Sequence, residues 1–411
     1  MSSNKNIPQL RFPGFTGEWE EKPLSSFLHE HKTKSDGKCE VHSVSVTKGV
    51  VNQVEYLGRS FAAADTSKYN LVKPNDIIYT KSPTGAFPYG IVKQNKNPYN
   101  VIVSPLYAVY SPINKYVGYI LDSYFESPER TNNYLSSLIQ KGAKNTINIT
   151  NDTFVSKCMC LPSDPAEQQK IAECLSEIDN LISAQGEKVD SLKEKKKGMM
   201  QQMFPQKGET TPRLRFPGCE GIWKEIELGK VADFQNGYAY NSSTFSKEGN
   251  YVIRISDIQD GVISLSTAVR SACVVPEVFK INKGDILIAM SGATTGKIGE
   301  YQSDDIAYIN QRVGNIKPFD INRKLLLFLL QSDFFTRYLN SILTVGAQPN
   351  ISSKQICSFR FKLPPTQSEQ QKIAECLSAI DDMIASESAK LDALKDHKKG
   401  LMQHLFPQPN K

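Results

Sequence analysis

The sequence lacks the features that mark membrane and secreted proteins. No stretch reaches the about 18 apolar residues that a membrane helix needs, and the most apolar one, residues 324–335, is too short. The first residues, MSSNKNIPQ, contain no apolar signal segment. We therefore expect a cytoplasmic protein without a membrane partner. A hydrophobic content of 39% over 411 residues is enough for two or three domains with their own cores.

Histidine and cysteine are too few and too irregularly spaced to indicate a metal site. There are five histidines, and none occupies a repeated position, so acid–base catalysis has little support. The eight cysteines show no framework of regular spacings, and we expect reduced thiols. One cluster, His29, His31, Cys39 and His42, fits no zinc spacing. We expect ordinary side chains there and no bound metal.

Enzyme motifs are also missing. Residues 97–99 read Asn-Pro-Tyr and lack one proline of the methyltransferase tetrapeptide Asn-Pro-Pro-Tyr. No glycine-rich cofactor loop follows a first strand, and no helicase-type P-loop occurs. The sequence therefore predicts a chain that is not an enzyme and binds no cofactor of its own. The net charge of +6 is compatible with an anionic partner, although alone it is weak evidence.

The chain does contain a long internal repeat. The string EQQKIAECLS occurs at residues 167–176 and again at residues 369–378, an offset of 202 residues. Further repeated segments are LRFPG at 10–14 and 214–218, and KKGMMQQMFPQ at 196–206, echoed by KKGLMQHLFPQ at 398–408. Residues 25–140 and 229–344 match poorly between the halves. The pattern indicates one shared frame, repeated with pseudo-two-fold symmetry, that carries two different inserts.

Each half is predicted to end in a long helix. Asp164 or Thr366 caps the start, Glu167 or Glu369 falls where a capping box requires it, and a Phe-Pro pair ends the helix. Apolar residues follow at alternating steps of four and three, which is typical of a coiled-coil seam. Both copies interrupt the seam with polar residues at the same two places. The predicted seam residues are Ile171, Leu175, Ile178, Ile182, Val189, Leu192, Ile373, Leu377, Ile380, Ile384, Leu391 and Leu394. We favour a helix pair over separate packing of each helix on its own domain.

The inserts mix short β-like runs with helical stretches, which predicts two globular α+β domains. Strands are predicted at residues 41–46, 76–80, 101–110, 251–255, 285–290 and 307–316. Helices are predicted at residues 116–139 and 322–343.

Two matching loops follow a predicted strand that begins with an acidic residue, Asp76 or Asp285. Exposed backbone N–H groups with Thr and Lys side chains suit a phosphate backbone. The candidates are Lys81, Thr84, Ser291, Thr294, Thr295 and Lys297. A nucleotide P-loop does not fit, because Gly292 and Gly296 stand one residue too close and Ile298 replaces the magnesium-binding hydroxyl. A plain strand–turn–strand without a ligand is the alternative.

A second pair of loops carries Gly-Ala followed by polar residues. Asn, Gln, Lys and Arg side chains can bind base edges, so we expect DNA contacts here. The candidates in these loops are Lys144, Asn145, Gln348 and Asn350. Further candidates in the second insert are Asn236, Tyr238, Gln311 and Arg312. The first insert has Ser-Pro-Leu at 104–106 where the second has Asn-Gln-Arg. Turn residues without a ligand are the alternative for each.

The whole pattern resembles the DNA specificity subunit of type I restriction-modification enzymes. The resemblance is carried by the LPxxxxEQxxI segments at 161–171 and 363–373, the LRFPGFTGEW opening, the GDIL, SG and TGK residues at 284–297, and the repeated helix ends. It covers nearly the entire chain. It implies a target recognition domain at 1–163, a central helix at 164–205, a second target recognition domain at 206–365 and a C-terminal helix at 366–407.

The resemblance also implies a function. Each target recognition domain would read one half of a bipartite site in double-stranded DNA, and the helices would form an antiparallel coiled coil that sets the spacer. Two modification (methyltransferase) subunits, and restriction subunits for cleavage, would dock on this frame. S-adenosylmethionine would belong to the modification subunit, and ATP and magnesium to the restriction subunit. The alternatives are a coiled-coil adaptor without DNA readout and an enzyme that modifies or cuts DNA alone, against which the missing motifs count.

Overall fold

The computed structural model describes residues 6–141, 147–259, 261–343 and 349–407. The chain divides into two compact units. The first comprises Met1–Glu187 and Ala389–Lys411, and the second comprises Lys188–Ser388. Each unit therefore contains one globular insert together with part of each long helix. The four-part division predicted from the sequence remains a prediction.

The elements of the first half are short apart from its last helix. The strands are β1 (Glu20–Pro23), β2 (Leu28–Glu30), β3 (His42–Ser45), β4 (Gly49–Asn52), β5 (Asn70–Val72), β6 (Ile77–Tyr79), β7 (Val92–Gln94), β8 (Val101–Val103), β9 (Ala108–Pro112), β10 (Gln140–Lys141), β11 (Ile147–Asn148) and β12 (Cys158–Leu161). The helices are α1 (Gln53–Leu57), α2 (Lys115–Phe125), α3 (Pro128–Ser136), α4 (Asn151–Ser156) and α5 (Pro165–Met203).

The second half follows the same plan with more strands. They are β13 (Lys224–Glu227), β14 (Ala232–Asn236), β15 (Phe245–Ser246), β16 (Asn250–Ile253), β17 (Ile258–Gln259), β18 (Gly261–Ile263), β19 (Val269–Ser271), β20 (Lys280–Ile281), β21 (Ile286–Ala289), β22 (Ile298–Glu300), β23 (Ala307–Ile309), β24 (Val313–Pro318) and β25 (Arg360–Leu363). The helices are α6 (Arg323–Leu330), α7 (Asp333–Ile342), α8 (Ser353–Cys357) and α9 (Gln367–Leu405).

The two inserts share a central sheet despite their different sequences. Its order is β2-β9-β6-β7 in the first unit and β14-β24-β21-β22 in the second, where β18 and β17 extend it to six strands. The register is also the same, because Ile77 pairs with Tyr110 and Ile286 pairs with Ile316. A separate antiparallel pair, β1 with β12 or β13 with β25, repeats as well. The repeat seen in the frame therefore extends into the inserts, and the mixed α/β fold expected from the sequence is confirmed.

Two predicted strands and two predicted helices are each divided in two. The run 101–110 forms β8, which pairs with β5, and β9, which pairs with β2 and β6. The run 307–316 likewise forms β23 in the five-stranded sheet and β24 in the six-stranded sheet. An apolar run that crosses between two sheets looks like one strand because both of its parts are buried. The predicted helices divide at Ser127–Pro128 and at Ser332. Ser127 caps its helix by accepting from the Arg130 N–H at 3.4 Å, whereas the Ser332 hydroxyl donates back to the Leu329 carbonyl at 2.6 Å.

The long helices begin and end where the sequence predicts. Each has 39 residues and ends before its Phe-Pro pair. At their starts, the N–H groups of Ala166 and Glu369 donate to the side chains of Asp164 and Thr366. The glutamates expected in the capping boxes, Glu167 and Glu369, bind arginines of the repeated LRFPG segments.

Each unit packs the start of one long helix beside the end of the other. In the first unit, Ile171 and Leu175 share a core with Met402 and Leu405. In the second, Met203 shares a core with Ile373 and Leu377. Within each unit the two helical segments therefore run antiparallel. The predicted seam residues are buried (Ile171, Leu175, Ile178, Val189, Ile373, Leu377 and Ile380) or half-buried (Ile182, Leu192, Ile384, Leu391 and Leu394). Within the described ranges, no helix combines the length and apolar content needed to span a bilayer.

Candidate nucleic-acid interface

Several segments of the second unit meet at one end of its six-stranded sheet. Strand β14 leads into Tyr238, whose backbone N–H donates to the carbonyl of Ile309 at 2.8 Å. Strand β21 leads into Met290, whose N–H donates to Arg312 O and whose carbonyl accepts from Ile351, both at 2.9 Å. These bonds bring together candidates that are far apart in sequence: Asn236, Tyr238, Ser291, Thr294, Thr295, Gln311, Arg312 and Asn350.

Two glycines permit these close approaches. A Cβ atom at Gly237 would lie 2.1 Å from the carbonyl oxygen of Asn310, so a side chain there would collide with backbone. Gly292 adopts a φ of +80°, a left-handed conformation that disfavours other residues, and its N–H donates to Pro349 O at 3.1 Å. Gly237 and Gly292 therefore allow close packing of the backbone, which explains part of the glycine content of these loops without a ligand.

The side chains best placed for a ligand are those of Asn236, Gln311, Arg312 and Asn350, which are all exposed. Arg312 Nη1 donates to the Ser291 hydroxyl at 3.1 Å. A guanidinium has five N–H donors, so this contact orients Arg312 and leaves other donors for a ligand. Arginine can bind guanine through two hydrogen bonds, and glutamine and asparagine can do so with adenine. This end of the second unit thus has the chemistry for direct readout of base pairs.

The hydroxyl candidates lie deeper. Ser291 is only 4% exposed and holds Arg312. The Thr295 hydroxyl faces the carbonyls of Gly292, at 2.6 Å, and Pro349, at 3.2 Å, so its hydrogen is engaged in closing the turn. The Thr294 hydroxyl is buried and finds no partner among the described residues. This placement indicates that Ser291, Thr294 and Thr295 support the loop. Contact between their hydroxyls and a phosphate remains a prediction.

Lys297 is exposed but borders a different surface. It lines a groove of about 1380 Å³ within the second unit, together with Lys193 and Lys197 of α5 and Arg337 of α7. Such a basic groove suits an anionic ligand. If Lys297 contacts a phosphate as predicted, that contact would therefore lie in this groove and not among the exposed side chains around Arg312.

An aromatic cluster beside the interface was not anticipated from the sequence. The ring of Tyr238 lies 5.1 Å from that of Tyr240 and 5.3 Å from that of Phe279. Burial, with smaller effects from Cys273 and nearby tyrosines, raises the pKa of Tyr240 to about 12, so its hydroxyl stays protonated at neutral pH. The adjoining loop exposes 94% of Val274. The sequence signal that could have predicted this cluster is the Tyr-Ala-Tyr spacing at residues 238–240, because alternate residues of an extended segment face the same side.

The first unit presents different side chains in the matching loops. Lys81 and Thr84 lie in an exposed loop, which is closed by a bond from the Thr84 N–H to Phe87 O at 3.0 Å. The turn between β8 and β9 exposes 76% of Leu106, where the second unit has Gln311 and Arg312. The candidates Lys144, Asn145 and Gln348 lie outside the described residues. The two inserts thus offer unlike surfaces on one type of sheet.

The repeated acidic residues have a structural role. Asp76 accepts hydrogen bonds from the Lys73 N–H and the Ser111 hydroxyl, both at 2.7 Å. Asp285 accepts in the same way from the Asn282 N–H, at 3.0 Å, and from the Asn315 side chain, at 2.9 Å. Each therefore closes a turn and ties it to the neighbouring strand. His31 also binds Asp76, and the described part of the chain holds no cluster of His, Cys, Asp and Glu suited to a metal.

Comparison with known families agrees with this geometry. A family model described as the type I restriction modification DNA specificity domain matches residues 221–396, which include the second unit's interface. The matched residues make up 176 of the 411 residues of this chain. The resemblance stated from the sequence is thereby confirmed.

Three proteins named as specificity subunits of type I restriction enzymes align with half or more of this chain. The MjaVIII specificity subunit of Methanocaldococcus jannaschii is 29% identical over 264 residues, which are 60% of this chain and 61% of that protein. The putative MjaX specificity subunit of the same organism is 26% identical over 61% of this chain and 59% of its own length. The EcoAI specificity subunit of Escherichia coli is 30% identical over 54% of this chain and 37% of its own length. The match thus spans about three fifths of the first two relatives.

Solved structures show the same fold. The S subunit of a type I restriction-modification system from M. genitalium superposes with a TM-score of 0.61, over 98% of this chain and 100% of that one, at 15% identity. A chain from a structural study of complex assembly in a type I system gives a TM-score of 0.52 over 93% of this chain and 96% of its own length, at 18% identity.

Proposed function

We propose that this chain is the sequence-specific DNA-binding subunit of a type I restriction-modification complex. Each target recognition domain reads one half of a bipartite, asymmetric DNA site. The two long helices pair as an antiparallel coiled coil, set the spacer between the half-sites and dock two modification subunits. Restriction subunits join the complex for cleavage.

One observation carries this proposal above the others. The chain builds the same four-stranded sheet twice, in the same order and register, and places unlike loops at corresponding positions. Gln311 and Arg312 occupy the turn that carries Leu106 in the first unit. Side chains that read bases must differ when the two target sequences differ, whereas the sheet that presents them can stay the same.

The proposed role is not catalytic. The relatives from M. jannaschii and E. coli are all named specificity subunits. Methyl transfer from S-adenosylmethionine then belongs to the modification subunits, and use of ATP and magnesium belongs to the restriction subunits. The repeated carboxylates Asp76 and Asp285 are already engaged by the fold, which agrees with this division of labour.

The test is to map methylated sites in the genomic DNA of cells that carry this chain with its modification subunits. The expected result is one bipartite motif with a fixed gap. Replacing residues 25–140 with the matching part of a relative should then change one half-site only, because the two inserts fold as separate readers. A swap that alters both half-sites would contradict the proposal. Methylation at one continuous motif regardless of the swap would favour the adaptor alternative.

A further inference from the structure

The seam of the long helices contains a lysine at the same place in each copy, Lys196 and Lys398, where an apolar residue would continue the stripe. A charged group in such a position costs stability unless it is paired, so its presence needs a reason. In coiled coils, a single polar residue in the seam can select one register and one orientation at a cost in stability.

Both lysines are paired, and the two pairs are equivalent under the repeat. Lys196 Nζ binds both carboxylate oxygens of Asp381, at 2.6 and 2.8 Å, within the second unit. Its ammonium also lies 4.8 Å from the centre of the Phe328 ring. In the first unit, Lys398 Nζ binds Asp179 at 2.6 Å and also binds Glu126. Asp179 and Asp381 are the same repeat position, as are Lys196 and Lys398.

Lys398 is the more deeply buried of the two, at 8% exposure. Its carboxylate partner Asp179 also accepts a hydrogen bond from the Tyr119 hydroxyl at 2.6 Å. The partner's position is therefore fixed by α2 as well as by α5. A lysine this buried depends on finding these carboxylates, because an unpaired buried ammonium is strongly unfavourable.

A slip in the register of the helices would remove the aspartate that lies opposite each lysine. A slip of one heptad moves the residue opposite Lys196 from Asp381 to Ala374 or Ser388. The same slip moves the residue opposite Lys398 from Asp179 to Ala172 or Gly186. A parallel pair aligned by the repeat would place Lys196 beside Lys398 and Asp179 beside Asp381, which are like charges. The placement of these charges thus disfavours both a one-heptad slip and a parallel pair, and it favours the observed antiparallel register.

We propose that the pairs Lys196–Asp381 and Lys398–Asp179 are positioning residues that hold the two helices antiparallel and in a single register. This inference rests on the proposed function for its consequence, because one register gives one spacer between the half-sites. The apolar seam residues and the packing of each helix end into a core supply adhesion between the helices. The two charged pairs add to the choice of register.

The first experiment tests the pairs themselves by charge reversal in the full chain. Lys196→Asp and Asp381→Lys, each alone, should lower the midpoint of thermal unfolding by about 2–6 °C, because each places like charges together in a half-buried site. The double variant should recover most of that loss. The matched control reverses Lys283 and Asp304, an exposed pair at 2.8 Å, and should change the midpoint little in any combination. Single variants as stable as the control would overturn the proposal.

The second experiment tests the choice of register. Replacing Lys196 and Lys398 with Leu, and Asp179 and Asp381 with Ala, removes the selection but keeps the seam apolar. We expect methylation at the original gap and at a second gap that differs by about three base pairs, since one heptad spans about 10.5 Å. A single unchanged gap in this variant would overturn the proposal. If the wild-type complex methylates no bipartite site, the proposed function fails, while the charge-reversal experiment still decides the role of the lysines.

Discussion

At the scale of single residues, Arg312 is held by one contact and remains available for others. Its guanidinium donates to the nearly buried hydroxyl of Ser291, and its neighbour Gln311 is exposed beside it. A side chain held in this way loses less conformational freedom on binding than an unrestrained arginine does. Its planar fork also suits two parallel hydrogen bonds to one base, which a lysine cannot form.

Replacing Arg312 should therefore change which DNA sequences are bound. Arg312→Ala should reduce discrimination at one base pair of the second half-site by about 1–3 kcal/mol, the worth of a two-bond base contact. Arg312→Lys keeps the charge but loses the fork, so it should behave like the alanine variant. Binding of DNAs with each base substituted in turn provides the measurement. Equal loss on all sequences for Ala, with full recovery by Lys, would mean that Arg312 contacts phosphate.

The buried lysine Lys398 predicts a dependence of stability on alkaline pH. Burial lowers the pKa of Lys398, but attraction by Glu126 and hydrogen bonds to Asp179 and Glu126 outweigh burial and raise it above the ordinary 10.5. Because the folded-state pKa exceeds the unfolded one, this stabilisation is complete below 10.5 and is lost as the pH rises through the folded value. The free energy of unfolding of the wild type should fall more steeply there than that of Lys398→Met. Parallel pH profiles of the two proteins would refute this.

At the scale of helices and strands, the sequence predicts most of the described helices, whose signals are local, but it misses most of the short strands, whose pairing is not. The ends of α5 and α9 follow from capping residues and Phe-Pro pairs, which act within a few residues. The division of 307–316 into β23 and β24 depends on which sheet each part joins, and distant residues decide that. The same limit applies to the interface. Loop composition identified Gln311 and Arg312, but their contact with Ser291 and the cluster around Tyr238 depend on the tertiary fold.

The start of α9 depends on an ion pair that the repeat provides in both halves. Glu369 is 1% exposed and accepts from Arg215 at 2.8 and 2.9 Å and from Trp223 Nε1 at 3.2 Å. Arg215→Ala removes the positive partner of a buried carboxylate and should destabilise the second unit by about 3 kcal/mol. Arg360→Ala, which breaks an exposed pair with Glu227, is the control and should have little effect. Chemical denaturation measures both, and similar losses would contradict the assigned role of Arg215.

At the scale of the whole molecule, one chain carries two different inserts and two long helices of equal length. Each unit combines one insert with parts of both long helices, so neither helix belongs to one insert alone. Under the proposed function, a change in an insert alters the sequence that is read, and a change in the helices alters the gap. The two properties are then separable by mutation, although a single polypeptide carries both.

Binding of DNA by two readers should depend strongly on salt. The chain carries 49 Lys and Arg residues against 43 Asp and Glu, and lysines line the groove beside the second interface. Neutralising several phosphates releases counterions, so affinity should fall by orders of magnitude between about 50 and 200 mM salt. Titration of the assembled complex with its DNA at several salt concentrations measures the slope. Affinity that stays constant over this range would exclude a multi-phosphate footprint.

Lengthening both helices together should lengthen the spacer without changing the half-sites. Insertions after Glu187 and after Ala389 lie between the two lysine–aspartate pairs, so whole heptads added at both places keep the proposed register. Three heptads add about 31.5 Å, close to one turn of B-DNA, so the gap should grow by about nine base pairs with both readers still facing the same side of the duplex. One heptad adds about three base pairs, which rotates the second half-site by roughly a third of a turn, so methylation should be weaker.

The control for this experiment adds three heptads to α5 alone. That insertion leaves the charged pairs mismatched, and we expect it to impair folding rather than lengthen the gap. Mapping of methylated sites measures the gap and the half-site sequences for all three insertion variants. The half-site sequences should remain those of the wild type. An unchanged gap in an active double-insertion variant would mean that the helices do not set the spacer. The antiparallel coiled coil would then have to be abandoned as the ruler, while readout by the two inserts would be unaffected.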